Sequence, residues 1–297
     1  MFFCERKTLG STINMKNTLQ ETIEYGDSKG MYSLQICLGS PMVFNRKQIS
    51  QDDIISTKKY LNNHPMNVFS HLPFVYNFVG SKTDNILNWN GNAKRDSAAT
   101  SMLKGVEYEL AITSKICPDG CKSGCVLHIG SWSERSLGLS KVIQTINKID
   151  FPKNSNLLLE TMVGRGDVLG TSYQELFEVY EGIDQNKKPN IKICIDTCHV
   201  HSNGNYDLRK FTGVEKMFRD FEEFFEADKL GLIHLNDSMT EFNSGKDRHE
   251  LIGKGTIWCD PNRSVLTRLL DIINEKGVST VLETDESDYS VIQTWKH

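Results

Sequence analysis

The chain has no apolar run long enough to span a bilayer, which excludes a transmembrane helix as an expectation. Its opening, MFFCERKTLG, carries only three apolar residues after Met1 before charge begins, too few for the apolar stretch of a secretory signal. Basic residues are not in excess: 34 Lys and Arg stand against 38 Asp and Glu, a formal charge of −4. The electrostatic footprint usual for a nucleic-acid binder is therefore missing from the composition. No Pro/Gly/Ser-rich linker and no shift in composition divides the 297 residues, so one domain over residues 1–297 is expected. A soluble intracellular protein with no membrane partner follows from the same absences. The eight cysteines contain no CxxC knuckle. Cys37, Cys194 and Cys198 lie in or just after apolar strands, where a thiol behaves as a small hydrophobe. Only Cys117, Cys121 and Cys125, in CPDGCKSGC, cluster; Pro118, Gly120 and Gly124 make that stretch a loop. No fourth zinc ligand is near in sequence, so free thiols or a loop disulfide are expected there.

What is present is a recurrence. Eight short β-rich runs span the chain: 7–12, 32–38, 66–71, 124–131, 156–162, 191–199, 230–237 and 279–284. Between them lie segments of helical period. Residues 139–149 place Val142, Ile143 and Ile146 on one stripe. Residues 213–230 do so with Met217, Phe218, Phe221, Phe224 and Phe225, a pattern best read as a helix face on a core. Residues 264–277 end at Gly277, a helix stop. A further helix over about 95–115, with an insertion, is expected between Phe78 and Cys125. Strands alternating with helices imply parallel pairing. Eight such units imply a closed (β/α)8 barrel, an α/β TIM barrel whose chemistry sits at the carboxyl ends of the strands.

Those ends carry cation-binding residue types. The third run ends in His71, the fourth reaches His128 and the fifth Glu160. The sixth, IKICIDTCH, delivers Asp196 and His199 before a turn of Ser, Asn and Gly. The seventh reaches His234, Asn236 and Asp237, and the eighth Glu283. The loop after the seventh adds Asp247 and His249 in GKDRHE. Taken singly, each has a plainer reading: a lone His at a strand end is more often a hydrogen-bonded core residue, and DRH could be a solvated loop. Jointly they resist it, because five of the eight histidines fall at these positions. Four buried carboxylates aimed into one mouth would repel one another and stay protonated without cations. Imidazole suits zinc, and mixed imidazole and carboxylate also accepts manganese or iron at one position. Five imidazoles and four carboxylates are enough for two or three ions. Three divalent ions bring six positive charges and turn the formal −4 into +2, which draws an anionic substrate.

CIDTCHVHSNGNYD, HLNDSMTEFNSGKDRHELIGKG and LLLETMVGRG resemble the signature motifs of the endonuclease IV family of apurinic/apyrimidinic (AP) endonucleases. The resemblance runs from about residue 9 to 284. It implies a monomeric TIM-barrel enzyme with three zinc ions that acts on double-stranded DNA containing abasic sites. Such an enzyme cuts on the 5′ side, leaves a 3′-hydroxyl and a 5′-deoxyribose phosphate, and trims blocked 3′ ends. By motif match His71, His128 and Glu160 hold one zinc. Glu160 bridges to a second, completed by Asp196, His234 and Glu283, and is the residue on which catalysis depends. His199, Asp247 and His249 hold the third. Phe74 and Val75 in SHLPFV match the pair the family inserts into the duplex, and Arg46 is the nearest counterpart of an inserted arginine. Where the family often has Tyr this chain has Phe74, and where its glutamate is followed by Asn this chain has Thr161.

Two other readings share the residues. A divalent-metal sugar isomerase on the same barrel uses one or two ions and leaves the DRH loop without a role. A non-catalytic binder of damaged DNA requires a missing ligand, and none is missing.

Overall fold

In a computed structural model the chain is described over residues 8–80, 93–284, 289, 290 and 292. The strands are β1 (Leu9–Asn14), β2 (Ser33–Cys37), β3 (Asn67–His71), β4 (Ser123–Leu127) and β5 (Leu157–Glu160). They continue with β6 (Ile191–Asp196), β7 (Leu230–His234), β8 (Asp237–Ser238), β9 (His249–Glu250) and β10 (Ser279–Leu282). The helices are α1 (Leu19–Ser28), α2 (Gln51–Asn63), α3 (Ala93–Ile116), α4 (Arg135–Ile146), α5 (Tyr173–Gly182), α6 (Thr197–Ser202), α7 (Phe211–Phe224) and α8 (Arg263–Lys276). Eight strands close into a parallel barrel in the order β1-β10-β7-β6-β5-β4-β3-β2, with helices between them. The expected (β/α)8 architecture is borne out. β8 and β9 form a separate antiparallel ribbon. Of the segment from Phe78 to Cys125, where an insertion is expected, residues 81–92 lie outside the described residues. Among the described residues no helix is long and apolar enough to cross a membrane.

The barrel is buried on both faces of its sheet, as parallel strands require. One alternate set, including Leu157, Leu159, Ile191, Ile193 and Ile195, packs in the large core that also holds the helix faces. The other set points inward. Phe69, Val126, Leu158, Cys194, Leu232 and Val281 form a second, smaller cluster, each at most 1% exposed. Side chains two apart share a face of a strand. The residues two beyond these six are His71, His128, Glu160, Asp196, His234 and Glu283. An apolar plug therefore fills the barrel, and the polar residues of the mouth stand directly on it.

Close approach completes the closure. A Cβ on Gly10 would stand 1.4 Å from the Ser33 carbonyl oxygen, where β1 meets β2. Side-chain caps start α1, α2 and α5: Thr18, Ser50 and Ser172 accept from the backbone N–H three residues on. α8 ends where expected, at Gly277 with φ 61°. The predicted 139–149 helix begins four residues earlier, at Arg135, and ends at Ile146. α7 stops at Phe224, with Phe225 as its cap still packed in the core.

Leu158 occupies space that Gly124 and Gly231 leave open on either side; a Cβ at either glycine would meet its methyls at 2.4 and 2.9 Å. Leu158→Ala is expected to cost about 2–5 kcal/mol of stability, read from the shift in the urea unfolding midpoint. A change within experimental error would mean that the plug is not the packed layer described.

Candidate metal centre

The mouth is organised by one carboxylate. Glu160 ends β5 with its side chain 1% exposed. Its two oxygens face His128 Nε2 at 2.9 Å, His234 Nδ1 at 3.0 Å, His71 Nε2 at 3.3 Å and His199 Nδ1 at 3.5 Å. Burial alone would raise its pKa. The charges of His128 and His234 override that and hold the carboxyl well below its usual range.

For His71 and His234 the ring nitrogen away from Glu160 meets a protein acceptor, and for His199 the Nδ1 itself does, which turns its Nε2 toward Asp247. His71 Nδ1 pairs with the Leu72 carbonyl at 2.7 Å, His199 Nδ1 with the Thr161 carbonyl at 2.8 Å, and His234 Nε2 with Gln35 Oε1 at 2.9 Å. Each such N–H···O bond fixes the ring's orientation and leaves the other nitrogen turned to the mouth, where it offers a lone pair once it gives up its proton. The carboxylates are held likewise. Asn236 Nδ2 donates to Asp196 Oδ2 at 2.6 Å and to Glu283 Oε2 at 3.0 Å, and Gln35 Nε2 donates to Glu283 Oε1 at 2.8 Å.

Asp196 serves two structures. The run expected as strand through His199 ends at Asp196, whose Oδ1 accepts from the His199 backbone N–H at 2.9 Å and caps α6. His199 thus projects from a helical turn, because a capping Asp at a strand end starts a helix in place of another strand residue. Burial pushes the Asp196 carboxyl up, against the pull of His199 and His249. Burial would likewise lower His199, yet Asp196, Asp247 and Glu160 push it up to about 10.

Asp247 departs from the expectation of four buried carboxylates. Its side chain is 47% exposed, since the loop joining β8 and β9 lies on the rim and not on a barrel strand. It still reaches His199 Nε2 at 3.2 Å and His249 Nε2 at 3.3 Å. Asp237, next to the strand end, does not face the mouth at all. Its carboxylate accepts backbone N–H groups of Ser238, Gly253, Gly255, Ile257 and Trp258, at 2.8 to 3.4 Å. It is the anchor of the rim segment that carries His249.

All nine residues singled out as ligands come together. Three groups have their ligand atoms within 4.8 Å of one another: His71, His128 and Glu160; Glu160, Asp196, His234 and Glu283; and His199, Asp247 and His249. A fourth group, Asp196, Cys198 and His249, overlaps the last two. Burial and the Asp196 charge push the Cys198 thiol up to about 12, which leaves it a protonated neighbour at neutral pH. The Nε2 atoms of His199 and His249 are buried and make no well-aligned hydrogen bond; their neighbours are the carboxylates of Asp247 and, for His249, Asp196. Unused imidazole nitrogens beside buried carboxylates are the donor set that zinc or a similar divalent ion takes.

Phe74 is 55% exposed beside this cluster, stacked on His128 at 5.1 Å between centroids. Val75 is half-buried against the core. Arg46 is a correction. Its side chain is only 2% exposed and pairs with Glu109 on α3 at 3.3 Å, so it is not free to enter DNA. Cys125 lies in β4, within the expected run 124–131 and apart from the loop of Cys117 and Cys121, buried where Ser70 Oγ donates to its sulfur at 3.1 Å. Every described cysteine is free. Gln35 escaped the reading of strand ends, although a lone Gln within the apolar run YSLQICL signals an inward polar contact.

A model of the family described as xylose isomerase-like TIM barrel matches residues 27–288. The probable endonuclease 4 of Shouchella clausii (strain KSM-K16) is 28% identical over 253 residues, 84% of this chain and 80% of that protein. The crystal structure of endonuclease IV from Thermus thermophilus superposes with a TM-score of 0.77, at 17% identity over 97% of both chains. A D-tagatose 3-epimerase-like protein gives 0.65, at 17% identity over 96% of both. At such identities the structural likeness speaks for the fold alone.

Two outcomes follow from this geometry. Asp237→Asn removes an anionic acceptor from the rim and is expected to weaken metal binding about 10- to 100-fold at the outer group only. Competitive zinc titration reads this, and unchanged affinity at every position would refute it. His201, fully buried beside the mouth, has its pKa lowered to about 4 by burial. The unfolded chain takes up that proton near pH 6.5 and the folded chain refuses it. Stability from this residue is thus intact above 6.5 and lost as pH falls toward 4, on the order of 3 kcal/mol. His201→Gln should flatten the acid limb of the stability curve by that amount; an unchanged limb would contradict the assignment.

Proposed function

The chain belongs to the xylose isomerase-like TIM barrel family, and we propose that it is a zinc-dependent AP endonuclease that hydrolyses the phosphodiester 5′ to an abasic site. The resemblance to endonuclease IV read from the motifs agrees with the relatives so named. One observation carries the proposal: nine ligand-type side chains in three groups, two of them sharing Glu160. His71, His128 and Glu160 would hold one ion, Glu160 with Asp196, His234 and Glu283 a second, and His199, Asp247 and His249 a third. Bound zinc lowers the pKa of water to about 7 and offsets charge on phosphate oxygens.

The chain's own groups prepare that chemistry. Glu160 belongs to two groups, so a single carboxylate ties their positions together. Gln35, Thr161 and Leu72 hold the imidazoles in one orientation each, and Asn236 holds Asp196 and Glu283 apart at fixed orientation. Such preorganisation avoids rearrangement when charge develops on the phosphate. Phe74 stands exposed at the rim, placed to fill the gap that an absent base leaves in the stack. Extrusion of the lesion costs least where no base is paired. The products would be a 3′-hydroxyl and a 5′-deoxyribose phosphate, with trimming of blocked 3′ ends by the same centre. A sugar isomerase would need only the four residues around Glu160 and Glu283, and leaves His71, His128, His199, Asp247 and His249 without use.

The deciding assay is incision of a labelled duplex with one tetrahydrofuran abasic analogue, alongside metal content of the same sample. The analogue resists β-elimination, so a 5′ cut leaving a 3′-hydroxyl, with about three zinc ions per chain, supports the proposal. Glu160→Ala should abolish incision. A metal-loaded wild type that leaves the duplex whole, or a Glu160→Ala variant that cuts normally, would refute it.

A further inference from the structure

The end of the barrel opposite the metal centre holds a cavity of about 350 Å³, at the amino ends of β4 to β7. That size falls at the lower end for small-molecule sites. Phe69 and Leu158 of the apolar plug line it, together with Leu230, Lys122, Lys192 and Lys276. Lys192 stands two residues before Cys194 on β6, so it faces inward beneath the plug. A second hollow of about 120 Å³ lies between α7 and α8 against Phe218 and Phe221. The two share Ala227, Leu230 and Lys276 in their walls.

The charges around this cavity do not balance. Lys192 Nζ pairs with Asp228 Oδ2 at 2.9 Å, and Lys276 pairs with Glu222. Lys122 has no carboxylate partner among the described residues; its ammonium donates to the Gly277 carbonyl at 2.7 Å. A lysine at the carboxyl end of α8 suits the helix dipole, which accounts for that contact. The dipole does not account for Lys192 nearby: partial burial and then the Lys192 charge lower the Lys122 pKa. Two ammonium groups around one half-enclosed space repel, and an anion between them turns that repulsion into attraction. A bare inorganic ion would leave Leu230 and the hollow at Phe218 and Phe221 unused. The complement of the whole cavity therefore carries an apolar body as well.

We propose that this cavity binds a small amphipathic anion, a phosphate monoester or carboxylate on a short apolar chain. Its charged group sits between Lys122 and Lys192, and its chain runs over Leu230 toward Phe218 and Phe221. The plug lies between this site and the metal centre, so the ligand is held apart from whatever the mouth acts on.

Cys121, half-buried in the wall of the cavity, reports its occupancy. The test follows alkylation of Cys121 by iodoacetamide in the full chain, read by tandem mass spectrometry, with each rate compared to the ligand-free rate of the same variant. This readout is blind to phosphate bound at the metal centre. Hexyl phosphate should halve the rate at about 1 mM or below, an ordinary affinity for so small a ligand. Inorganic phosphate should need at least about tenfold more, for want of the chain. Hexylamine at about 10 mM should have no effect. Lys122→Met should raise the half-protecting concentration at least about tenfold, as loss of a charge-assisted hydrogen bond does, and Lys192→Met likewise. No protection by hexyl phosphate at about 10 mM, or equal protection by hexylamine, overturns the site. Equal protection by inorganic phosphate overturns the apolar chain. Undiminished protection in folded Lys122→Met overturns the placement of the charged group; if that variant does not fold, Lys192→Met decides by the same criterion.

Discussion

A carboxylate removed from water and facing four imidazoles is the constraint on which the mouth of this barrel rests. Glu160 cannot be neutral and satisfied there at once. The histidines hold it ionised, and it in turn pulls four rings, from β3, from the end of β4, from β7 and from α6, toward one point. Protons can balance these charges, as the raised His199 shows, and so can cations. The two compete for the same nitrogens, so loading with metal must displace protons.

Much of this was legible because strands have a period of two. Once IKICID is read as a strand, Asp196 must share a face with Cys194, and the same holds for Glu160 with Leu158 and His234 with Leu232. The ligand layer and the layer beneath it therefore emerge together from the alternation. What alternation cannot carry is contact across long separations. Arg46 looks like a free surface charge until α3 brings Glu109, 63 positions away, against it. Asp237 follows His234 closely enough to look like a ligand, but its oxygens are claimed by five backbone N–H groups from the rim. His199 continues the strand on paper, yet Asp196 caps a helix at that point.

Barrels of one architecture differ in what their rims add. The four residues around Glu160, Asp196, His234 and Glu283 lie at strand ends and are fixed by the barrel. Asp247 and His249 come from a short ribbon, and their placement depends on Asp237 and on the glycines it binds. The inner set and the outer set are thus held by separate means, and a barrel can keep the first while losing the second. This is a physical reason why a fold shared with a sugar epimerase-like protein does not fix the chemistry.

The plug beneath the ligands has a consequence for traffic. Phe69, Val126, Leu158, Cys194, Leu232 and Val281 form a buried layer two residues below the mouth, in which the Cys194 thiol, hydrogen-bonded to His234, is the one polar group. Any solute that reaches the mouth from the strands' carboxyl side would therefore leave most readily by that same side. A ligand lying across that side would hold in whatever had already entered, so exchange with solvent would be slowest while the mouth is covered.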